Sequence, residues 1–403
     1  MNTLPLLQEI NVDKKKRKIT NEQIADFLAV SNGFVSQVFS GTSRITFMDF
    51  VNMVRYIYQD EERERRLIFE FCTSTTKPLN LCVAMEFASV EREYDLLNFL
   101  VQKGLNHRNA MVKECATFYD YVYKRSKGKL KGNKLWAKIM EEKKKPSFIE
   151  MKSLHSLIIM YSFIDIREYN GLLKFAPIEH AEEQEEEIEH AEEQEEETEK
   201  KKKGKAKEIG NEYIRRSYKI RLEELKVIAH LMNNEVHESR EIALKAISSE
   251  NTNDFPAFTA SIFHYLGQSY IHEDILKAIE WVQKAKNLLE SFKTDKFEKN
   301  IQEFNNTLDF IKIKAKIDLH KIVPRSIAER AHLSIQLNHK EEAIKILNQR
   351  IEESDDVAAR PYYYYYLGMA TGNKVHLEKS IILFEQHGNK FYAELPKKYL
   401  RDL

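Results

Sequence analysis

Across residues 20–57 (TNEQIADFLAVSNGFVSQVFSGTSRITFMDFVNMVRYI) apolar side chains recur three and four positions apart. That is the period of helices with one buried face. The pattern predicts three short helices. The first follows Thr20 as N-cap and turns Ile24, Phe27 and Leu28 inward. The second follows Ser31, turns Phe34, Val35 and Val38 inward, and ends at Gly41, where a left-handed cap is needed. The third follows Thr46 and buries Phe47, Phe50, Val51 and Val54. Two short helices three residues apart, then a packing helix, make a helix-turn-helix.

Residues 60–175 keep the helical period, with Pro78 and Pro146 each able to start a helix. From 211 to 403 the period continues and a repeat emerges. YLGQSYIHEDILKAIEWVQKA (265–285) places Leu266, Gly267, Tyr270, Ala278 and Ala285 close to the tetratricopeptide pattern. YYLGMATGNKVHLEKSIILFE (365–385) places Leu367, Gly368, Ser380 and Phe384 in similar register. Gly267 and Gly368 are 101 residues apart, close to three repeats of roughly 34. Small residues let paired helices approach, and each pair must stack on its neighbours to bury a core. The expected fold is all-α, an N-terminal helix-turn-helix followed by a tetratricopeptide-like helical-repeat superhelix.

Composition agrees. With 12 glycines and 8 prolines in 403 residues, the chain is poor in the turn formers that β-folds and phosphate loops need. Three cysteines, Cys72, Cys82 and Cys115, without a CxxC pair, suit a reducing cytosol rather than a disulfide framework. No secretory signal and no membrane-spanning run is legible, so a cytoplasmic location is expected. The zero net charge hides a separation: residues 179–210 carry 14 Glu against 6 Lys, which leaves the rest near +8. Residues 179–198 are a tandem decapeptide, EHAEEQEEEI then EHAEEQEEET, read as a charged, extended linker or a lone solvated helix. His180 and His190 supply no fixed metal geometry. Domains are therefore expected at 1–58 (helix-turn-helix), 59–177 (helical, degenerate repeats), 178–208 (low-complexity insert) and 209–403 (repeat domain whose concave face suits a peptide).

In a helix-turn-helix the second helix enters the major groove with its early residues at base edges. That face would carry Asn32, Ser36, Gln37 and Ser40. Asn and Gln can bind adenine through two hydrogen bonds. No residue from 31 to 41 is charged, so phosphate attraction falls to Lys15, Lys16, Arg17 and Arg44, with Lys14 and Lys18 beside them. A solvated, partly disordered arm is the other reading of residues 1–18. The basic stretch 127–145 holds Trp136, read as a packed tryptophan among solvated lysines, or alternatively as a face lying on DNA. Five consecutive tyrosines, Tyr362 to Tyr366, point all around their helix, so most pack and one or two can meet a ligand. The sequence carries no P-loop, GxGxxG, HExxH or GxSxG; neither an enzyme nor a cofactor is expected.

The string SNGFVSQVFSG (31–41) resembles the recognition helix of phage repressors. The layout as a whole resembles the peptide-sensing regulators of Gram-positive bacteria, and within them the arbitrium receptors of Bacillus phages. The stretches that carry this are 45–72, 84–100, 212–225, 329–347 and 377–396. The resemblance implies a DNA-binding homodimer that meets a double-stranded operator and a short imported signal peptide, and thereby governs lysis and lysogeny. It implies no enzymatic activity. Glu329 falls where that family places a peptide-contacting carboxylate; Gln268 and Asn389 fall at two further contacts. Asparagines with which that family holds the peptide backbone fall near Ile228 and Met232 and are lost or shifted here. With Gln336 and Tyr364, these residues supply the amides, carboxylate and aromatic wall that a peptide needs. The alternative is a repeat scaffold that sequesters a protein partner without binding DNA.

Overall fold

The computed structural model describes residues 3–142, 145–172, 208–248, 254–353 and 359–403. The tandem decapeptide, His180, His190 and the following lysine run lie outside them. Twenty α-helices and no β-strand occur among the described residues, as the helical periodicity leads one to expect. The described residues divide into two compact units: 3–130, 142, 145–155 and 208–216 in the first, and 131–141, 156–172, 217–248, 254–353 and 359–403 in the second.

The first unit opens with α1 (Leu4–Lys16). Residues 4–16 are thus helix rather than disordered arm, because Leu6, Leu7 and Ile10 find a core to enter. Then come α2 (Asn21–Leu28), α3 (Asn32–Ser40) and α4 (Phe47–Tyr58). The expected caps form. Thr20 and Gln23 make a reciprocal capping box, and Ser31 and Thr46 accept from the backbone N–H of Phe34 and Asp49. Gly41 has φ +80°, the left-handed conformation that favours glycine, and a Cβ there would make the Leu4 side chain of α1 move, since it would lie 2.7 Å away. Ile24, Val35 and Val38 are buried as expected. Phe27 is not: it is 53% exposed and stacks on Tyr56 at 4.6 Å. Leu28 and Phe34 are half-buried. The unit continues through α5 (Glu61–Ser74), α6 (Pro78–Val90), α7 (Tyr94–Leu105) and α8 (Ala110–Ser126). Its centre is aromatic, with Phe50 on Phe71 at 4.2 Å and Phe47 on Phe87 at 5.3 Å. Pro78 begins α6.

In α9 (Gly132–Met140) Trp136 is 39% exposed rather than packed, because Leu135 and Ile139 take the buried face. Pro146 stands three residues before α10 (Ile149–Asp165), outside its first turn. The helices α11 (Glu212–Met232) and α12 (Val236–Ser248) lead into the repeats. These are hairpins: α13 (Pro256–Ser269) with α14 (Ile275–Glu290), α16 (Ile327–Gln336) with α17 (Lys340–Glu353), and α18 (Arg360–Thr371) with α19 (Lys374–Gln386). Between the first two lies α15 (Glu298–Lys314), and α20 (Lys390–Arg401) ends the chain. The repeat glycines mark the closest approaches. A Cβ at Gly267 would come within 2.6 Å of Val282, and one at Gly368 within 2.5 Å of Leu377.

In the second unit the last helix returns to the first repeats. Tyr392 of α20 donates to Gln268 of α13 at 2.7 Å, and Lys390 donates to Asn233 at 2.7 Å. The turn after α10 closes on the turn before α20: the Tyr169 N–H donates to the His387 carbonyl at 2.9 Å. The Asn170 amide donates to the Gln386 carbonyl at 3.2 Å.

Candidate functional site

On α3, Asn32, Ser36, Gln37 and Ser40 are all exposed, on the face opposite Val35, Val38 and Phe39. Their polar groups are ordered by short local bonds. The Gln37 amide oxygen accepts from the Ser43 hydroxyl at 2.8 Å. The Ser40 hydroxyl donates to the Gln37 carbonyl at 3.0 Å and lies 3.0 Å from Thr42. The Ser36 hydroxyl donates to the Asn32 carbonyl at 3.1 Å and accepts from the Asn21 amide at 2.9 Å. An ordered row of amides and hydroxyls on the exposed face of a helix suits hydrogen-bond readout of base edges.

The basic residues divide. Lys15, Lys16, Arg17 and Arg44 are exposed. Lys14 is buried, 5% exposed, and so leaves the group of phosphate candidates. Its ammonium donates to the Asn21 side-chain oxygen, lies 3.5 Å from the Ile19 carbonyl, and sits over the Phe39 ring at 5.3 Å. Arg17 covers the Tyr58 ring at 5.2 Å. Tyr58 donates to Asp13 at 3.0 Å, and Arg63 bonds Asp13 at 2.9 Å and Glu9 at 2.6 Å. Burial and its bond to Asp13 push the Tyr58 hydroxyl up to about 12. Burial works to raise Asp13, but hydrogen bonds from Tyr58 and Arg63 outweigh it and hold the carboxyl below its usual range.

In the second unit Gln268, Glu329 and Asn389 belong to one buried neighbourhood. Glu329 accepts from the Tyr366 hydroxyl at 2.8 Å and meets His332 at 3.1 Å; the His332 ring stacks on Tyr366 at 4.6 Å. Gln268 accepts from Tyr392 and lies 3.1 Å from His264, which meets Thr307 at 2.8 Å. Asn389 caps α20 by accepting from the Tyr392 N–H at 3.1 Å. Phe310 links the two halves, 6.4 Å from Tyr392 and 5.8 Å from His332. Gln336, half-buried, ends α16, and Tyr364 lies against His376 at 6.2 Å. Three of the five expected residues are therefore brought together, each already bonded within the protein.

Sequence reasoning missed the side chains that border this network on its open side. Glu303, Thr307 and Phe310 follow one another at i, i+4 and i+7 on α15, so they share a face. Thr307 and Phe310 join the buried network, while Glu303, one turn earlier, is exposed. Among the described residues Glu303 has no hydrogen bond or ion pair. Surrounding protein displaces its hydration and raises its carboxyl, opposed by the field of Arg167. Burial raises Tyr169, Tyr265 and Tyr392, and the field of Glu303 adds to each. Burial raises Tyr362 as well, and its ring meets Tyr392 at 5.5 Å. A carboxylate with no partner among the described residues can hold a cation. The i, i+4, i+7 spacing is the one signal the sequence offered for Glu303.

Among the described residues no cluster of His, Cys, Asp and Glu could hold a metal, and no helix is long and apolar enough to cross a membrane. Cys72, Cys82 and Cys115 are buried free thiols.

An array of helix hairpins follows a capped trio of short helices, which is a helical-repeat architecture. A family model described as AimR transcriptional regulator-like matches residues 64–402, and the chain belongs to that family. An uncharacterised protein of Bacillus anthracis is 31% identical over 283 residues, 69% of this chain and 95% of that one. The AimR transcriptional regulator of Bacillus phage phi3T is 23% identical over 361 residues, 86% of this chain and 83% of that one. A solved structure titled "Structure of phAimR-Ligand" superposes with a TM-score of 0.68 at 20% identity, covering 89% of this chain and 98% of that one. At that identity the likeness speaks to the fold.

Proposed function

We propose that this chain is a DNA-binding transcription regulator whose repeat unit takes a short signal peptide, in the manner of phage arbitrium receptors. The observation that carries it is the ordered polar face of α3 on a capped helix trio, in a chain of a transcription-regulator family. Asn32 and Gln37 read base edges; Lys15, Lys16, Arg17 and Arg44 meet phosphates. A homodimer presents two such helices to an operator with matching half-sites. The peptide enters beside Glu303, Tyr265 and Tyr362, against the wall formed by Gln268, Glu329 and Asn389, and changes DNA binding or activation, hence the lysis–lysogeny choice.

The test is a gel-shift titration with DNA flanking the gene, with and without synthetic short peptides from the C-terminus of any small secreted reading frame nearby. A sequence-specific shift that one peptide weakens supports the reading. Equal affinity for cognate and scrambled DNA removes the DNA-reading role. No shift at low salt together with a captured protein partner would mean a sequestering scaffold instead.

A further inference from the structure

Lys14 is an ammonium enclosed beside the recognition helix. Among the described residues it has no carboxylate partner; neutral groups receive it, namely the Asn21 side-chain oxygen, the Ile19 carbonyl and the Phe39 ring. This has a consequence for polarity. A lysine only donates. The Asn21 oxygen must therefore face Lys14, and its NH₂ must face Ser36, which it does at 2.9 Å. The Ser36 hydrogen is committed to the Asn32 carbonyl at 3.1 Å. A serine hydroxyl has one hydrogen and two lone pairs. With the hydrogen and one lone pair taken, a single acceptor site remains, on an exposed residue of α3.

We propose that Lys14 is a positioning residue that sets the hydrogen-bonding polarity of the reading surface: through Asn21 it holds Ser36 as an acceptor, so Ser36 reads an exocyclic amine of adenine or cytosine. This rests on α3 being the DNA-reading helix. In the major groove, adenine N6 and cytosine N4 donate, whereas purine N7, guanine O6 and thymine O4 accept. Ser36 thus rejects the acceptors and bonds the amine. Lys14 acts without touching DNA, in contrast to the exposed lysines that follow it.

The experiment selects duplexes from a randomised pool with the full-length chain and with Lys14→Met, Asn21→Ala and Ser36→Ala. The wild type is expected to specify a position whose preference Ser36→Ala loses. There, removing the amine (2-aminopurine for adenine, 2-pyrimidinone for cytosine) weakens wild-type binding roughly tenfold and Ser36→Ala binding little. Removing purine N7 with a 7-deaza base has no such effect. Lys14→Met loses the same preference while other positions and the salt dependence are kept; a merely structural role would weaken all positions alike. Asn21→Ala gives the same result and serves if Lys14→Met does not fold. Sensitivity to N7 but not to the amine overturns the proposal. So does a preference unchanged in the folded variants, or no position altered by Ser36→Ala. A wild type that selects no sequence at any salt overturns the DNA-reading function itself.

Discussion

The Gln37 side-chain oxygen accepts from the Ser43 hydroxyl, so one end of its amide is already held. Gln37→Ala should cost about 1–3 kcal/mol of specific DNA binding while circular dichroism stays unchanged. Glu303 is exposed and has no hydrogen bond or ion pair among the described residues; if it receives a basic group of a peptide, Glu303→Gln should cost about 1.5–3 kcal/mol of that affinity by calorimetry. His264 gives a pH prediction. Burial holds its imidazole down to about 3, so the folded protein favours the neutral ring. Its contribution to stability is complete above about 6.5 and is lost as pH falls towards 3. Urea unfolding across that window should show stability falling with pH, less steeply in His264→Gln. The exposed amides of α3 were legible because their exposure follows from the period of the apolar residues beside them. The burial of Lys14 was not, since it depends on Phe39 and Asn21 arriving from other helices.

Caps set the lengths of the first helices, and they are local in sequence. Thr20, Ser31 and Thr46 were legible for that reason, and Ser31→Ala should lower unfolding stability by about 1 kcal/mol. The hairpins of the second unit were legible through their small residues. Gly368→Val would drive carbon into Leu377, and thermal unfolding should report a loss of about 1–3 kcal/mol. The face chosen by Phe27 was not legible: a helix of eight residues has apolar positions for two faces, and Ile24 and Ala25 took the core. Peptide-site candidates were legible as alignment positions. Their engagement by Tyr366, Tyr392 and His264 was not, because those partners lie 37, 124 and 4 residues away and only the nearest is visible in helical spacing.

At the scale of the molecule, charge and connectivity decide behaviour. If Lys15 and Arg44 meet phosphates, neutralising each should lower the slope of log affinity against log salt by about 1, weakening all sequences alike. The bonds from α20 back to α13, and from the turn after α10 to the turn before α20, have another outcome. Stacked repeats that touch only their neighbours fray from free ends, and their terminal units exchange amide hydrogens first. Here the last helix is fastened to the first hairpin, so neither is free to peel away alone. The second unit should melt as one cooperative block, α20 exchanging hydrogen as slowly as α13, and a peptide that loosens Tyr392 from Gln268 would be felt in both helices together.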